Sequence, residues 1–482
     1  MLTVGPKMEF HKAFIDGKWV ETSKRFSVTN PTTMEPFAEV ADCGPEEART
    51  AVNAAVRAFE TWSKTTAYER AAILMKWHQL ILDHGDDLAR IMAHEMGKPV
   101  TEGRGEVKYA AAFASWFAEE AKRAYGEIIP THDNNKRLFT MKKPVGPAYG
   151  ITPWNFPAGM VTRKAAPALA AGCTFIMKPA EQTPLTALAI ASLWEEAGGP
   201  PGTLQIITAL DPIPVSEVII NDPRIRKVTF TGSTEVGKKL YAQSASTMKR
   251  ISLELGGHAP YIIFEDADID RAVTDVIACK FRNAGQVCVS ANRIYVAEKI
   301  YDTFADRLSE KVAGIKVGNP LEEETRLGPL VDQQGFDKVK AHVDDAVSKG
   351  AVARAGGKQR GTAGLFFEPT VLTNISIEMR LLREETFGPV APLLKFKDEA
   401  EVVKLANDTP YGLAGYLWTK DLGRAFRVAE ALQYGIVGVN DPVPSAPHAP
   451  FGGVKDSGVG REGGHEGLNE YLEVRYISMG LP

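Results

Sequence analysis

Residues 173–208, CTFIMKPAEQTPLTALAIASLWEEAGGPPGTLQIIT, decide the fold. The apolar run CTFIMK reads as a strand, PLTALAIASLWEEAGG as a helix ended by glycines, and TLQIIT as the next strand. Working outward, the texture begins near Val145 and continues through the strand KVTF (227–230), the helix EVGKKLYAQSA (235–245) and the strand RISLEL (250–255). Strand–helix alternation of this kind builds a parallel α/β sheet, with ligands bound beyond the carboxyl ends of its strands.

A second α/β series starts near Gly256: PYIIFE (260–265), the helix DIDRAVTDVIACKF (268–281), a loop, the strand RIYVAE (293–298) and the helix YDTFADRLSEKVAG (301–314). Two series imply two lobes with a cleft between them. The first 125 residues read mostly as helix. PEEARTAVNAAVRAFETW (45–62) puts Ala48, Val52, Ala55, Phe59 and Trp62 on one face, with Pro45 suited to a first helical turn.

The bulk numbers exclude several classes. A chain of 482 residues suggests two or three domains, and 44% hydrophobic with 24% charged residues is ordinary for a globular protein. Fifty-six Lys+Arg against 60 Asp+Glu give a net charge of −4 without a polybasic block, which argues against nucleic acid or an anionic membrane as partner. MLTVGPKMEFHK, at the N-terminus, lacks the apolar core of a signal peptide, and no stretch approaches the roughly 18 apolar residues of a membrane span. Cys43, Cys173, Cys279 and Cys288 form no C-x-x-C pair, so neither a disulfide framework nor a metal site is expected. A reduced, cytoplasmic protein is the expectation.

Three segments carry candidate chemistry. In FRNAGQVCVS (281–290), Cys288 sits among Asn283, Gln286 and Ser290, whereas Cys173 and Cys279 lie in apolar runs that suit small core residues. A thiol with an ordinary pKa of about 8.5 needs a base or an electropositive setting to act as a nucleophile. SLELGGHAP (252–260) ends a strand on Glu254, a carboxylate placed beyond the strand end; taken alone it reads by default as a capping or ion-paired glutamate. In GITPWNFPAGMVTRK (150–164), Asn155 is held between Pro153 and Pro157, and such stiffened backbone suits an oxyanion donor, although taken alone it reads first as an ordinary turn asparagine.

Two glycine motifs compete for a nucleotide. GVGREG (458–463) matches G-x-G-x-x-G, but it follows a polar turn and leaves no room for a βαβ unit before Pro482, so it reads as a glycine-rich loop. GSTEVGKK (232–239) follows a strand and nearly completes a P-loop, but Lys239 replaces the hydroxyl that would ligate magnesium. Strand, glycine turn and helix N-terminus still form an anion site, which favours a dinucleotide pyrophosphate over a nucleoside triphosphatase.

Taken in order, PWNFP (153–157), KPAEQTP (178–184), FTGSTEVG (230–237), LELGG (253–257), FRNAGQVC (281–288) and EETFGPV (384–390) resemble the aldehyde dehydrogenase superfamily over essentially the whole chain. The resemblance implies an α/β fold with a Rossmann-type cofactor domain (1–121 and 146–255) and an α/β catalytic domain (256–456). It adds a small β oligomerisation element (122–145 and 457–482), and hence a homodimer or homotetramer. It implies that Cys288 attacks an aldehyde to give a thiohemiacetal, held by Asn155 and the Cys288 backbone N–H. Hydride then passes to nicotinamide, and Glu254 activates the water that hydrolyses the thioester. Glu462, inside GVGREG, matches the family's distal glutamate.

For the cofactor, the resemblance assigns Lys178 and Glu181 to the adenosine ribose, Gly232 and Ser233 to the pyrophosphate, and Glu385 to the nicotinamide ribose, with Trp154 and Phe387 beside it. A carboxylate at Glu181 accepts ribose hydroxyls and repels a 2′-phosphate, so NAD is expected over NADP. ITALDPIPV (207–215) departs from the glycine-rich turn that relatives have near the adenine. Within the superfamily the chain is most similar to succinate-semialdehyde dehydrogenases. There Arg163, Arg282 and Ser445 match the group that holds the substrate's distal carboxylate, a task suited to guanidinium forks. The proline-rich loop 441–450 is similar to that of 2-oxoglutarate-semialdehyde dehydrogenases, so longer semialdehydes such as glutarate semialdehyde, or a broader aldehyde range, stay open. Ser290 stands where some relatives have a second cysteine, and no redox disulfide is expected at this loop.

Overall fold

In the computed structural model, which describes residues 11–482, the alternation around 173–208 builds the centre of an eight-stranded sheet. The reading of residues 1–10 lies outside the described residues. The sheet runs Gly458–Val459, Arg250–Glu254, Lys227–Thr231, Ala148–Ile151, Phe175–Lys178, Leu204–Ile206, Ala13–Ile15, Lys18–Val20. Its five central strands are parallel. The chain moves one way from Ala148–Ile151 to Leu204–Ile206, then crosses back to Lys227–Thr231. The strand order therefore reverses between Ala148–Ile151 and Lys227–Thr231, the point at which open α/β sheets hold their ligands.

The central strands Phe175–Lys178 and Lys227–Thr231 are buried at every position because helices cover both sheet faces. On one face Ala67–Asp83, Val100–Ala121, Pro157–Ala171 and Pro184–Glu196 share a core in which the Trp194 ring meets Trp77 and Trp62 edge-on at 5.2 and 6.2 Å.

A seven-stranded sheet forms the second lobe in the order Val352–Ala355, Thr370–Thr373, Val390–Phe396, Ala291–Ala297, Ala259–Ile263, Ala414–Trp418, Ile436–Val439. Only Val352–Ala355 runs antiparallel to its neighbour. A third sheet is a ribbon in which Leu472–Gly480 pairs along its whole length with Lys136–Pro144, itself flanked by Ile128–Ile129. Gly458–Val459 belongs instead to the first sheet, against Arg250–Glu254. Among the described residues no helix is long and apolar enough to cross a membrane.

The N-terminal region is mostly helix, as expected, but strands that were not expected come before the helices. Four strands, Ala13–Ile15, Lys18–Val20, Arg25–Asn30 and Glu35–Ala41, precede the first helix, Pro45–Trp62. Ala13–Ile15 forms a tight hairpin with Lys18–Val20 around Asp16 and Gly17, a local signal, and joins the main sheet where Phe14 pairs with Ile206. Arg25–Asn30 did carry a signal, since Phe26 and Val28 are buried between exposed Arg25, Ser27 and Thr29.

Candidate active site

Cys288 sits where two cavities meet. One, of about 300 Å³, is lined among others by Tyr109, Phe156, Arg163, Arg282, Ser445 and Cys288. The other, of about 320 Å³, is lined by Trp154, Asn155, Ser233, Glu385, Phe387 and again Cys288. A third space, of about 460 Å³, continues from the second through the shared residues Trp154, Thr231 and Gly232 and reaches Lys178 and Glu181. The expected nucleophile thus lies between an aldehyde-sized pocket and a trough along the strand ends.

The loop carrying Cys288 is strained and heavily anchored. Asn283, Ala284 and Gly285 take φ of 51°, 53° and 73°, three left-handed residues in succession. Such a run costs energy for residues with a Cβ and persists only where surrounding contacts dictate it. Those contacts are present. Asn283 N donates to Glu102 Oε2 at 2.8 Å, Asn283 Nδ2 to the Asn155 carbonyl at 3.0 Å, and Val331 N to Gln286 Oε1 at 3.0 Å. At Gly285 any Cβ would collide with the Gly388 carbonyl, so the close approach itself requires glycine.

Asn155 follows the strand Ala148–Ile151 and is buried. Its Nδ2 donates to the Gln286 carbonyl at 3.1 Å, and its Oδ1 has no partner among the described residues. Glu254 ends Arg250–Glu254, is also buried, and leaves Oε2 without a partner among the described residues. Burial raises its carboxyl well above the ordinary 4.5 and the Glu462 charge adds to this, while Arg163, Lys164 and Arg461 oppose it. Burial likewise pushes the Cys288 thiol up to about 12, with Arg163 pulling it down and Glu385 and Glu254 raising it. The resting residue is therefore a thiol, and the buried carboxylate nearby is a stronger base than an exposed one.

GVGREG opens with the edge strand Gly458–Val459 and then turns back on itself, with Gly463 at φ 67° and Glu462 exchanging backbone hydrogen bonds with Phe451 at 2.7 and 2.8 Å. The turn aims the Glu462 carboxylate inward, where it pairs with Lys164 and, at 2.5 Å, with Arg163 Nε. That approach is an ion pair lacking hydrogen-bond alignment, and it leaves Arg163 Nη2 buried without a hydrogen-bond partner among the described residues. Arg163 also lies 4.4 Å over the Phe451 ring. Arg282 lies 5.4 Å over Phe156, its Nε equally unpartnered among the described residues, and Ser445 Oγ shares a 2.6 Å hydrogen bond with Tyr109. Arg163, Arg282 and Ser445 are thus brought to one cavity.

The trough suits a dinucleotide by the chemistry of its lining. Ser233 caps the helix Thr234–Ala245, whose first N–H groups have no helical acceptor and can meet a pyrophosphate. Carboxylates stand at both ends for ribose hydroxyls. Glu181 is 3.3 Å from Lys178 Nζ, and Glu385 accepts from Gly257 N at 3.2 Å with burial holding its pKa up to about 7. Trp154 meets Phe387 edge-on at 5.5 Å, and Phe387 itself takes a left-handed φ of 54°. At the departure 207–215, Asp211 caps the helix Pro212–Asn221, and Pro212 and Ile213 give this end of the trough an apolar wall. Lys239 of the near-P-loop is exposed and paired with Glu235.

Several site residues escaped the sequence reading: Lys98, Glu102, Glu106 and Tyr109 on the aldehyde side, and Lys164 beside Glu462. A signal existed. Glu102, Glu106 and Tyr109 recur at helical spacing on Val100–Ala121, and Glu106 is buried in a run otherwise made of Val107, Ala110, Phe113 and Phe117. A buried carboxylate on an apolar face demands a partner.

The chain belongs to the aldehyde dehydrogenase family, whose model matches residues 19–477, and it is an NAD(P)-dependent enzyme of that class. It is 49% identical over 472 residues to succinate-semialdehyde dehydrogenase [NADP(+)] GabD of Escherichia coli, covering 98% of each chain. To glutarate-semialdehyde dehydrogenase of Pseudomonas putida it is 50% identical over 472 residues, again 98% of each. The crystal structure of succinate-semialdehyde dehydrogenase from Burkholderia pseudomallei superposes with a TM-score of 0.97 at 49% identity, covering 98% of both chains.

Proposed function

We propose that the protein oxidises succinate semialdehyde to succinate, with glutarate semialdehyde and 2-oxoglutarate semialdehyde as longer alternatives. One observation carries this reading: two buried guanidinium nitrogens, Arg163 Nη2 and Arg282 Nε, have no hydrogen-bond partner among the described residues in the cavity that holds Cys288. Buried donors without acceptors are costly, and a substrate carboxylate supplies the missing acceptor. Relatives named for succinate and glutarate semialdehydes support the same class.

In this reading Cys288 Sγ bonds to the aldehyde carbon and its proton leaves to a base. The new oxyanion accepts from the Asn155 amide and the Cys288 N–H, and Glu254 takes a proton from the water that later cleaves the thioester. Nicotinamide, when bound beside Glu385 and Phe387, supplies the hydride acceptor. The two carboxylates Glu181 and Glu385 suit ribose hydroxyls, and Glu181 favours NAD over NADP. A second reading has support too: Lys178 partly offsets Glu181, Lys239 lines the same space, and the Escherichia coli relative is named for NADP(+).

The ribbon of 128–129, 136–144 and 472–480, with Val474 and Tyr476 70% and 57% exposed, serves oligomerisation in this proposal. It is the three-stranded part of the element assigned to 122–145 and 457–482, beside a cofactor domain of 1–121 and 146–255 and a catalytic domain of 256–456. Four unpaired cysteines suit the cytoplasm. The test is kcat/KM over succinate, glutarate and 2-oxoglutarate semialdehydes and hexanal, each with NAD and NADP. Succinate semialdehyde with NAD should lead; an equal value for hexanal would overturn the carboxylate reading.

A further inference from the structure

In the wall of the aldehyde cavity lies an ion pair that the chemistry above does not use. Lys98 and Glu106 are each about 1% exposed at the side chain and form a close contact. A buried pair of this kind seldom stabilises a fold more than apolar residues of the same volume would. Its further contacts all go to the segment carrying Asn155. Lys98 Nζ donates to the Asn155 carbonyl at 2.7 Å and lies 4.1 Å over the ring of Phe156. Glu106 Oε1 accepts from Ala158 N at 2.9 Å and Gly159 N at 3.1 Å, capping the helix Pro157–Ala171, which has no side-chain cap of its own.

The Asn155 carbonyl is thereby doubly bound, by Lys98 from one side and by Asn283 Nδ2 of the nucleophile loop from the other. Asn283 Nδ2 and Asn155 Nδ2 also share the Gln286 carbonyl, at 3.3 and 3.1 Å. One ammonium thus fixes the backbone of the candidate oxyanion donor against the loop that presents Cys288. The position of an oxyanion donor matters at the level of tenths of an ångström, because it must meet an atom displaced from the ground-state carbonyl.

We propose that Lys98, oriented by Glu106, is a positioning residue that holds the Asn155 amide in register with the reacting carbon. This rests on the reading of Asn155 as the oxyanion donor. Lys98→Met alone leaves Glu106 as a buried unpaired charge, so the safer variant is the double substitution K98M/E106Q. The amide oxygen that Glu106→Gln introduces can still accept from Ala158 N and Gly159 N.

Three readouts separate positioning from general damage: kcat for succinate semialdehyde, thermal midpoint, and the rate at which iodoacetamide alkylates Cys288. Alkylation forms no oxyanion, so it should change by no more than about twofold, whereas kcat should fall ~10- to 100-fold, less than the ~10²–10³-fold of removing such a donor outright. Adding Asn155→Ala to the double variant should bring kcat no lower than Asn155→Ala alone, since coupled residues are not additive. An unchanged kcat, a parallel loss of alkylation, or fully additive losses would each overturn the proposal. If Asn155→Ala itself keeps wild-type kcat, the oxyanion reading fails, a result distinct from the failure of Lys98 alone.

Discussion

The two arms of the cleft that meet at Cys288 are made of different material. On the cofactor side much of the lining follows directly on strand ends of one sheet: Trp154 and Asn155 after Ala148–Ile151, Glu181 after Phe175–Lys178, Gly232 and Ser233 after Lys227–Thr231. Topology places these residues, and each stands in a short contiguous motif. On the aldehyde side the lining is side chains from separate elements: Tyr109 from Val100–Ala121, Arg163 from Pro157–Ala171, Arg282 from the strained loop, and Ser445 from the proline-rich loop. The first arm is set by backbone and tolerates local variation. The second is a product of packing, and single side chains decide what it accepts.

Their helix caps show the same contrast. Glu95 caps Pro184–Glu196 on the cofactor side through Leu185 N and Thr186 N at 2.9 and 3.1 Å, with no ion pair to a cation among the described residues. Glu106 caps Pro157–Ala171 with Lys98 bound to it. Burial accordingly holds Glu95 up to about 8.

Breaking the junction itself should have the largest effect. Cys288→Ser should lower NADH production from succinate semialdehyde by ~10³-fold or more while fluorescence titration still shows cofactor binding. Full activity in that variant would sink the nucleophile assignment. Glu254→Gln should cost ~10²–10⁴-fold. Because burial and Glu462 raise its carboxyl, and the active form is the carboxylate, kcat should fall as pH drops through the raised value; the Gln variant should lose that limb of the pH profile.

Next comes the aldehyde arm. Arg282→Leu should raise KM for succinate semialdehyde ~10- to 100-fold and leave hexanal within about twofold, as expected for losing one charge-assisted contact. Equal effects on both substrates would remove Arg282 from the site. On the cofactor arm, Glu181→Ser should shift the NADP/NAD ratio of kcat/KM toward NADP by roughly tenfold, measured at fixed aldehyde, because a 2′-phosphate no longer meets a carboxylate.

The smallest effect concerns the caps. A carboxyl raised in the folded state keeps its proton where the unfolded chain has lost it. Its contribution is full below 4.5 and is lost as pH rises to about 8. Glu95→Gln should flatten the fall of Tm across that window, by a few degrees at most; an unchanged slope would show that Glu95 does not titrate there.

Much of this was legible in the chain. The run from Cys173 to Thr208 fixes a parallel βαβ unit because fully buried strands and glycine-ended helices leave no other period, and ordered motifs singled out Cys288, Glu254 and Asn155 as candidates. GVGREG was recognisable as something other than a nucleotide loop from the polar turn before it. What the sequence could not contain was any pairing made at long range. Ala13–Ile15 joins the main sheet only beside Leu204–Ile206, Glu462 finds Lys164 almost three hundred residues earlier (separation 298), and Lys98 reaches Asn155 at a separation of 57. Local pattern is set by neighbours along the chain and can be read there. The buried charges had to wait for the tertiary structure, because an ionised group leaves water only where folding brings its partner.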